Sequence, residues 1–123
     1  MTWKVQDIDE AAQKVLAEVG REHFYQYKHR VDDEWTPVYQ WRREPQCFVG
    51  HILNVLGVDM SDLGPCEGRN IMWVAEQLKL SIDREAMILL ENLQLLQDCR
   101  EPWGFVLDQA RKGGEPIWWR GMS

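Results

Sequence analysis

The sequence predicts a mostly helical α+β domain with about five helices and one β-hairpin. Apolar residues recur at helical spacing in five separate stretches of the 123-residue chain. Between the first two stretches, residues 23–43 alternate with a period of two, which is typical of paired strands. The length suits one domain with one core, so we expect residues 1–123 to form a single unit.

The first helix is predicted to begin at Asp7 and to end at Gly20. Asp7 is followed three residues later by Glu10, as in a capping box, and glycine suits the left-handed residue that ends a helix. The residues between them form one apolar face: Ile8, Ala11, Ala12, Val15, Leu16 and Val19.

Residues 23–43 are predicted to form an antiparallel hairpin with Asp33 at its tip. This register puts aromatic rings on one face, with Tyr27 opposite Tyr39 and Tyr25 opposite Trp41. The other face then carries the basic side chains Lys28, Arg30 and Arg42. With Arg43 beside them they form a basic patch, which is either the solvated face of a half-buried sheet or a site for phosphate or an acidic protein partner. Because Pro37 has no N–H to donate, we expect its strand at an edge or near a bulge.

The second helix is predicted to follow Pro45 and to end at Gly57. Its apolar stripe consists of Phe48, Val49, Ile52, Leu53, Val55 and Leu56. Gly50 lies inside this helix, where glycine costs about 1 kcal/mol relative to alanine unless another segment packs closely against it.

Residues 61–68 are predicted to be a loop, and three more helices follow. Ile71, Val74, Ala75 and Leu78 mark the third. The fourth is predicted to be capped by Ser81, and the fifth to have Pro102 as its first residue. The fifth buries Trp103, Val106, Leu107 and Ala110 on one side, and both Trp73 and Trp103 are predicted in the core.

A tail rich in glycine and tryptophan, residues 113–123, follows the last helix. A lone hairpin is only marginally stable in water. Residues 117–120 are the only other segment with strand character, so we expect the tail to pair with the hairpin or to lie across it.

Charge and composition exclude several classes of partner and location. The net charge of −6 argues against general affinity for nucleic acid or anionic membranes. No apolar run approaches the ~20 residues of a membrane span, and the N-terminus lacks the apolar stretch of a secretory signal. We therefore expect a cytoplasmic protein whose three cysteines are reduced thiols, and we predict no cofactor.

Seven tryptophans in this short chain supply the candidate contact residues. Trp118 and Trp119 are adjacent, so in a strand their rings point to opposite faces and one of them faces outward. The predicted partner-binding residues are Trp35, Trp118, Trp119, Arg120, Arg42 and Lys28. In the alternative, Trp35, Trp41 and one tail tryptophan cover the core.

Cys47 and His51 lie four residues apart on the second helix and therefore share a face. With Cys66 from the following loop they are candidate zinc ligands, although the chain has no Cys-x-x-Cys motif and no second ligand pair. The same cysteine and histidine could form a nucleophile pair, although the sequence specifies neither an oxyanion site nor a group that orients the histidine. A metal- or thiol-dependent enzyme is therefore one alternative.

Two segments carry a resemblance to a known group of proteins. They are Pro45-Gln46-Cys47-Phe48-Val49-Gly50, leading into Leu56-Gly57-Val58, and Gln94-Leu95-Leu96-Gln97-Asp98, followed by Glu101-Pro102-Trp103-Gly104. The chain resembles small uncharacterised proteins of actinobacteria and their phages over roughly residues 5–112. The resemblance implies a small cytosolic accessory protein, encoded in some cases by a phage and acting in its bacterial host. It implies no reaction, cofactor or catalytic residue.

The leading interpretation is a non-enzymatic protein-interaction module that contacts its partner, such as a host protein, through the hairpin and the tail. A homodimer through the same aromatic residues is a variant of this interpretation, because an edge strand can pair with its own copy. The second alternative is a nucleic-acid-binding protein that uses the basic face of the hairpin.

Overall fold

The computed structural model describes residues 1–24, 30–31, 34–35, 38–99 and 101–112, with the backbone alone at 30–31 and 34–35. Within these ranges the chain forms six α-helices, one 3₁₀-helix and two small antiparallel hairpins, which confirms the mostly helical α+β class. The helices are α1 Val5–Val19, α2 Phe48–Val55, α3 Met60–Leu63, α4 Ile71–Gln77, α5 Arg84–Gln97 and α6 Trp103–Arg111, with the 3₁₀-helix at Gly64–Cys66. The strands are β1 Arg30–Val31, β2 Glu34–Trp35, β3 Gln40–Trp41 and β4 Glu44–Pro45. None of the helices in the described part combines the length and apolarity that a membrane span needs.

Helix α1 begins at Val5, two residues before the predicted start. Asp7 is therefore the third residue of the helix, and its carboxylate accepts a hydrogen bond from the backbone N–H of Lys4 at 2.9 Å. The helix ends at Gly20 as predicted, with a φ of 92°. The predicted apolar face is buried from Ile8 to Leu16.

The predicted register of the hairpin is wrong. A tip at Asp33 implies Val31 opposite Trp35, whereas the structure pairs Val31 with Glu34 and Arg30 with Trp35. A shift by one residue reverses which face each side chain occupies. The predicted partners Tyr25 and Tyr27 lie outside the described residues, as does Pro37.

Residues 38–47 form a second hairpin that the sequence did not predict. Trp41 pairs with Glu44, and the backbone N–H groups of Gln46 and Cys47 donate to the carbonyl oxygens of Tyr39 and Val38. Trp41 therefore belongs to this short hairpin, in which its partner is Glu44, and the predicted partner Tyr25 lies outside the described residues. The reason is the tight turn after Trp41, which reverses the chain and directs the next residues back along β3.

Another segment packs closely against Gly50 inside α2, which is the condition under which the sequence made a glycine in this helix understandable. A Cβ atom on Gly50 would lie 2.1 Å from the backbone carbonyl oxygen of Tyr39, so the hairpin crosses the helix at a distance that only glycine permits. Gly57 ends the helix region at a φ of 93°. Val55, predicted in the apolar stripe, is exposed instead.

Three other predictions need correction. Residues 61–68 are not a loop throughout, because α3 and the 3₁₀-helix occupy most of them. Asp83, not Ser81, caps α5 by accepting from the backbone N–H of Ala86 at 2.8 Å. Ser81 instead accepts from the backbone N–H of Trp3, and Pro102 precedes α6 as its cap.

The core lies where α1, α2, α5 and α6 pack together. Trp103 is its largest fully buried side chain, as predicted. Its ring stacks on Phe48 with ring centroids 4.9 Å apart. Trp73 is only partly buried, and the guanidinium group of Arg69 lies 5.0 Å from its ring centroid.

Candidate partner-binding site

The hairpin over residues 38–47 ends in a two-residue turn made of two arginines. Trp41 and Glu44 are paired, and Arg42 and Arg43 between them have φ values of 52° and 68°. Positive φ at both central positions is the signature of a type I′ turn, for which Asn-Gly is the favoured sequence. Each residue with a Cβ atom costs about 1–2 kcal/mol in this region, so the turn is a strained choice for two arginines.

Glu67 holds the base of this turn in place. Its two carboxylate oxygens accept from the backbone N–H groups of Tyr39, at 2.9 Å, and Gln40, at 3.1 Å. The side-chain oxygen of Gln40 in turn accepts from the backbone N–H of Arg43 at 2.9 Å. The strained turn is therefore fixed to the body of the protein through side-chain hydrogen bonds.

Tyr39 anchors the same strand from below. The residue is buried, and its hydroxyl donates to the carbonyl oxygen of Arg69 at 2.6 Å and accepts from Nε2 of Gln94 at 2.5 Å. Burial raises the pKa of the Tyr39 hydroxyl well above its usual value. Tyr39 therefore acts as a neutral structural hydrogen-bonding group at the root of the turn.

The outer part of the hairpin is open to solvent. Trp41 is 44% exposed, and Arg42, Arg43 and Glu44 are also exposed. We call the four residues 41–44 the tryptophan–arginine turn. It places an indole ring directly before two guanidinium groups on a rigid support.

The structure describes the side chain of one of the six predicted contact residues, Arg42, and shows it exposed. The side chain of Trp35 and all of Lys28, Trp118, Trp119 and Arg120 lie outside the described residues, as does the whole predicted tail at 113–123.

The sequence did not predict Trp41 as a contact residue, and it placed Arg43 in the basic patch but not among the partner-binding residues. It placed Trp41 on the aromatic face, or over the core in the alternative interpretation, whereas much of its ring is exposed. The sequence did contain one signal for the short hairpin, namely the spacing of two strand-like stretches. Two short stretches, 38–41 and 44–47, are separated by two residues, and Pro45 in the second stretch is compatible with an edge strand.

Comparisons with known proteins supply no family for this chain. No protein-family model matches it, and no curated protein or solved structure matches it to a significant degree.

The candidate metal ligands do not come together. Cys47 caps α2, with its Sγ accepting from the backbone N–H of Gly50 at 3.3 Å, while Cys66 Sγ lies 3.5 Å from the carbonyl oxygen of Asp62. His51 faces the ring of Trp103 at a centroid distance of 5.4 Å. Among the residues that the structure describes, no three or more His, Cys, Asp or Glu side chains form a group that could hold a metal ion.

Cys47 has the properties of a structural thiol. It is almost completely buried, and burial raises its pKa to about 12. The side chain therefore stays protonated at neutral pH, whereas a nucleophilic cysteine needs thiolate character.

A cleft of about 310 Å³ lies beside the root of the tryptophan–arginine turn. Its lining includes Tyr39, Cys47, Gln94, Gln97 and Asp98, so the two segments that carried the sequence resemblance meet here. The side-chain oxygen of Gln97 accepts a hydrogen bond from a backbone N–H at the start of α2, and that of Gln94 accepts one at the start of α4. Gln94 and Gln97, which belong to the second of these segments, therefore have structural roles.

Asp98 lies at the mouth of this cleft. Burial of its carboxyl group raises its pKa to about 6, and the hydrogen bond from Gln97 opposes this effect. The residue as a whole is nevertheless exposed, so solvent screens its charge and the energetic consequence is small.

Proposed function

We propose that this chain is a non-enzymatic protein-interaction module and that the tryptophan–arginine turn is a principal contact. The carrying observation is that two arginines occupy a turn with positive φ directly after an exposed tryptophan. Tryptophan and arginine are the residues most enriched among those that dominate binding energy at protein interfaces. A rigid turn also reduces the entropy lost when a partner binds.

The strain in the turn supports the same proposal. A turn selected for stability alone would carry Asn-Gly at positions 42 and 43. Residues in sparsely populated backbone regions cluster at functional sites, where the side chains are needed for binding. Arginines at these positions therefore favour a binding role over a purely structural one.

The other predicted residues extend this proposal. Lys28, Trp35, Trp118, Trp119 and Arg120 would enlarge the contact if the first hairpin and the tail lie near the turn. The proposal includes a homodimer through these aromatics as a variant, a cytoplasmic location, and action of a phage-encoded protein on a host protein.

One observation favours a second function, the binding of single-stranded nucleic acid. The predicted long hairpin has aromatic and basic residues on opposite faces, whereas in the observed turn Trp41 directly precedes Arg42 and Arg43. Stacking on an aromatic ring next to cationic groups is the usual mode of single-strand binding. The net charge of −6 opposes this function, because a polyanion is repelled by the rest of the molecule.

The test is capture of partners on immobilised protein from a lysate of the cells that produce it. Beads carry the wild type, the Trp41→Ala variant or the Phe105→Ala variant, which removes a comparably exposed aromatic ring from α6. Proteins that the wild type retains are then purified and titrated by calorimetry.

We expect Trp41→Ala to weaken binding of at least one partner by about thirtyfold and Phe105→Ala to leave it unchanged. Equal binding of every partner to the wild type and to Trp41→Ala would contradict the proposal. Thermal melts of both variants show whether the fold is intact.

A further inference from the structure

We infer that the tryptophan–arginine turn recognises an acidic segment of a partner protein, with two or more carboxylates flanking an apolar side chain. This inference rests on the proposed function and adds to it the chemistry of the partner. It follows from the charge, the spacing and the surroundings of the turn.

The charge of the turn is opposite to that of the molecule. The chain carries a net charge of −6, whereas the turn has two arginines and a single acidic residue, Glu44. A basic partner surface would be attracted to the acidic remainder of the molecule. An acidic segment, in contrast, is attracted to the turn and repelled by the acidic remainder of the molecule, so its charge directs it to the turn.

The arginines are suited to carboxylates in particular. A guanidinium group forms two parallel hydrogen bonds to one carboxylate, which gives geometric specificity as well as attraction. Arg42 and Arg43 are adjacent, so their two guanidinium groups match two carboxylates on one short segment. Both arginine side chains are exposed, so binding does not have to displace a buried ion pair.

The indole adds an apolar requirement. Trp41 directly precedes the arginines, and consecutive Cα atoms are about 3.8 Å apart, so one short peptide can contact all three side chains. Its exposed ring area can pack against an apolar side chain of the ligand. A ligand with only acidic side chains would make no apolar contact with this ring.

The remaining molecule disfavours a longer polyanion. At physiological ionic strength, charges interact over about 8 Å, so a short acidic segment is affected mainly by the turn. A nucleic acid strand continues its charge beyond the turn and approaches the acidic surface. The acidic peptide is therefore the better fit.

Two acidic groups outside the turn lie near it, namely Glu67 at its base and Asp59. The pKa of Asp59 is lowered by hydrogen bonds from Ser61 and, to a smaller extent, by the positive charge of Arg43. This effect places Arg43 within electrostatic reach of Asp59, which is itself on the surface. A ligand carboxylate must compete with this exposed group, so we expect moderate affinity.

The experiment is a selection of random peptides displayed on phage against the full chain, with counter-selection against Trp41→Ala. Selected peptides are synthesised and titrated by fluorescence anisotropy at about 50 and about 300 mM salt. A short single-stranded oligonucleotide is titrated in parallel, and sedimentation of the wild type and of Trp41→Ala reports self-association.

The charge test uses two double variants with the same net charge. Arg42→Glu with Arg43→Glu reverses the turn, while Lys14→Glu with Lys112→Glu reverses two other exposed cations. The milder pair Arg42→Gln with Arg43→Gln covers the case in which the charge reversal disturbs folding.

We expect selected peptides to be acidic around an apolar residue and to bind more weakly at high salt. The arginine variants should reduce their affinity at least about tenfold, and the lysine variants should have a much smaller effect.

If the selected peptides are neutral or basic but still require Trp41, the inference of an acidic partner is overturned and the proposed function remains intact. Self-association that Trp41→Ala abolishes would have the same meaning. Trp41-dependent binding of the oligonucleotide that is tighter than that of any peptide would overturn both the acidic partner and the proposed protein-interaction function, in favour of nucleic-acid binding. A selection in which no ligand distinguishes Trp41→Ala from the wild type would overturn the proposed function itself.

Discussion

The side-chain oxygen of Gln97 accepts a hydrogen bond from the backbone N–H of Val49, 2.9 Å away. Gln97 is 2% exposed and lies at the end of α5, while Val49 lies in the first turn of α2. The first N–H groups of a helix have no partner within the helix, so this bond satisfies one of them in the core. Gln94, three residues earlier, does the same for Ile71 at the start of α4, at 2.8 Å. One face of α5 therefore positions the starts of two other helices.

Replacing Gln97 by alanine should destabilise the protein. The substitution removes the acceptor and leaves the Val49 N–H buried without its partner, at a cost of about 1–3 kcal/mol in the free energy of unfolding. Urea unfolding followed by circular dichroism measures this loss. The control is Gln77→Ala on the exposed end of α4, for which we expect a change within about 0.5 kcal/mol. Equal losses in the two variants would contradict a special role for Gln97.

Gly50→Ala should be among the most destabilising single substitutions in the chain. Its Cβ atom would lie 2.1 Å from the carbonyl oxygen of Tyr39, so α2 and the hairpin must separate. We expect a loss of about 3 kcal/mol or more, or failure to fold. The matched control is Gly64→Ala, where the nearest contact is 3.8 Å away. Its stability should be unchanged or slightly higher, and a comparable loss at Gly64 would refute the steric explanation.

An Asn-Gly turn at positions 42 and 43 should stabilise the fold. Asparagine and glycine adopt positive φ at lower cost than arginine, so we expect a gain of about 1 kcal/mol in the free energy of unfolding. The double alanine variant at the same positions removes the charges without relieving the backbone strain. It should show no gain, and the Asn-Gly variant should also lose binding of the acidic peptides. A decrease in stability for Asn-Gly would mean that the arginine side chains make stabilising contacts.

His51 should make stability sensitive to mildly acidic pH. Burial, and to a smaller extent the nearby His23, lower its pKa in the folded state, while Glu18 acts in the opposite direction. The unfolded chain then binds a proton more readily than the folded one, so stability is present above about pH 6.5 and is lost as the pH falls through that value.

The measurement compares thermal melts of the wild type and of His51→Gln between about pH 7.5 and about pH 5.5, with circular dichroism as the probe. The wild type should lose more stability than the variant over this range. Comparison with the variant is necessary because Asp98, with its raised pKa, has the opposite dependence on pH. Parallel curves for the two proteins would show that His51 does not cause the effect.

The helices were predictable because their signals are local. Apolar spacing located α1, α2, α4, α5 and α6, and Gly20 marked the end of α1 as predicted. Helix starts were less well predicted, since several residues can serve as a cap. The residue that caps α5 is Asp83 and not the predicted Ser81, and α1 begins at Val5, before the predicted Asp7.

The turn that forms the candidate site was not predictable in the same way. Its strands are two residues each, and Arg42-Arg43 lacks the asparagine or glycine that marks a type I′ turn. What makes the turn possible is Glu67, which is more than twenty residues away in the chain and holds Tyr39 and Gln40. A pattern read along the chain does not contain such a pairing.

The sequence alone determined the helical class and most of the apolar faces, because each depends on neighbours within a few residues. It marked Gly50 as unusual, but only the structure shows that the carbonyl oxygen of Tyr39 requires glycine there. Tertiary structure alone decided the register of the hairpins, the exposure of Trp41, and the roles of Gln94 and Gln97. Each of these depends on contacts between distant segments, where a single hydrogen bond or a steric limit selects one arrangement. The candidate site belongs to this second group, since its strained turn exists only because distant residues hold it in place.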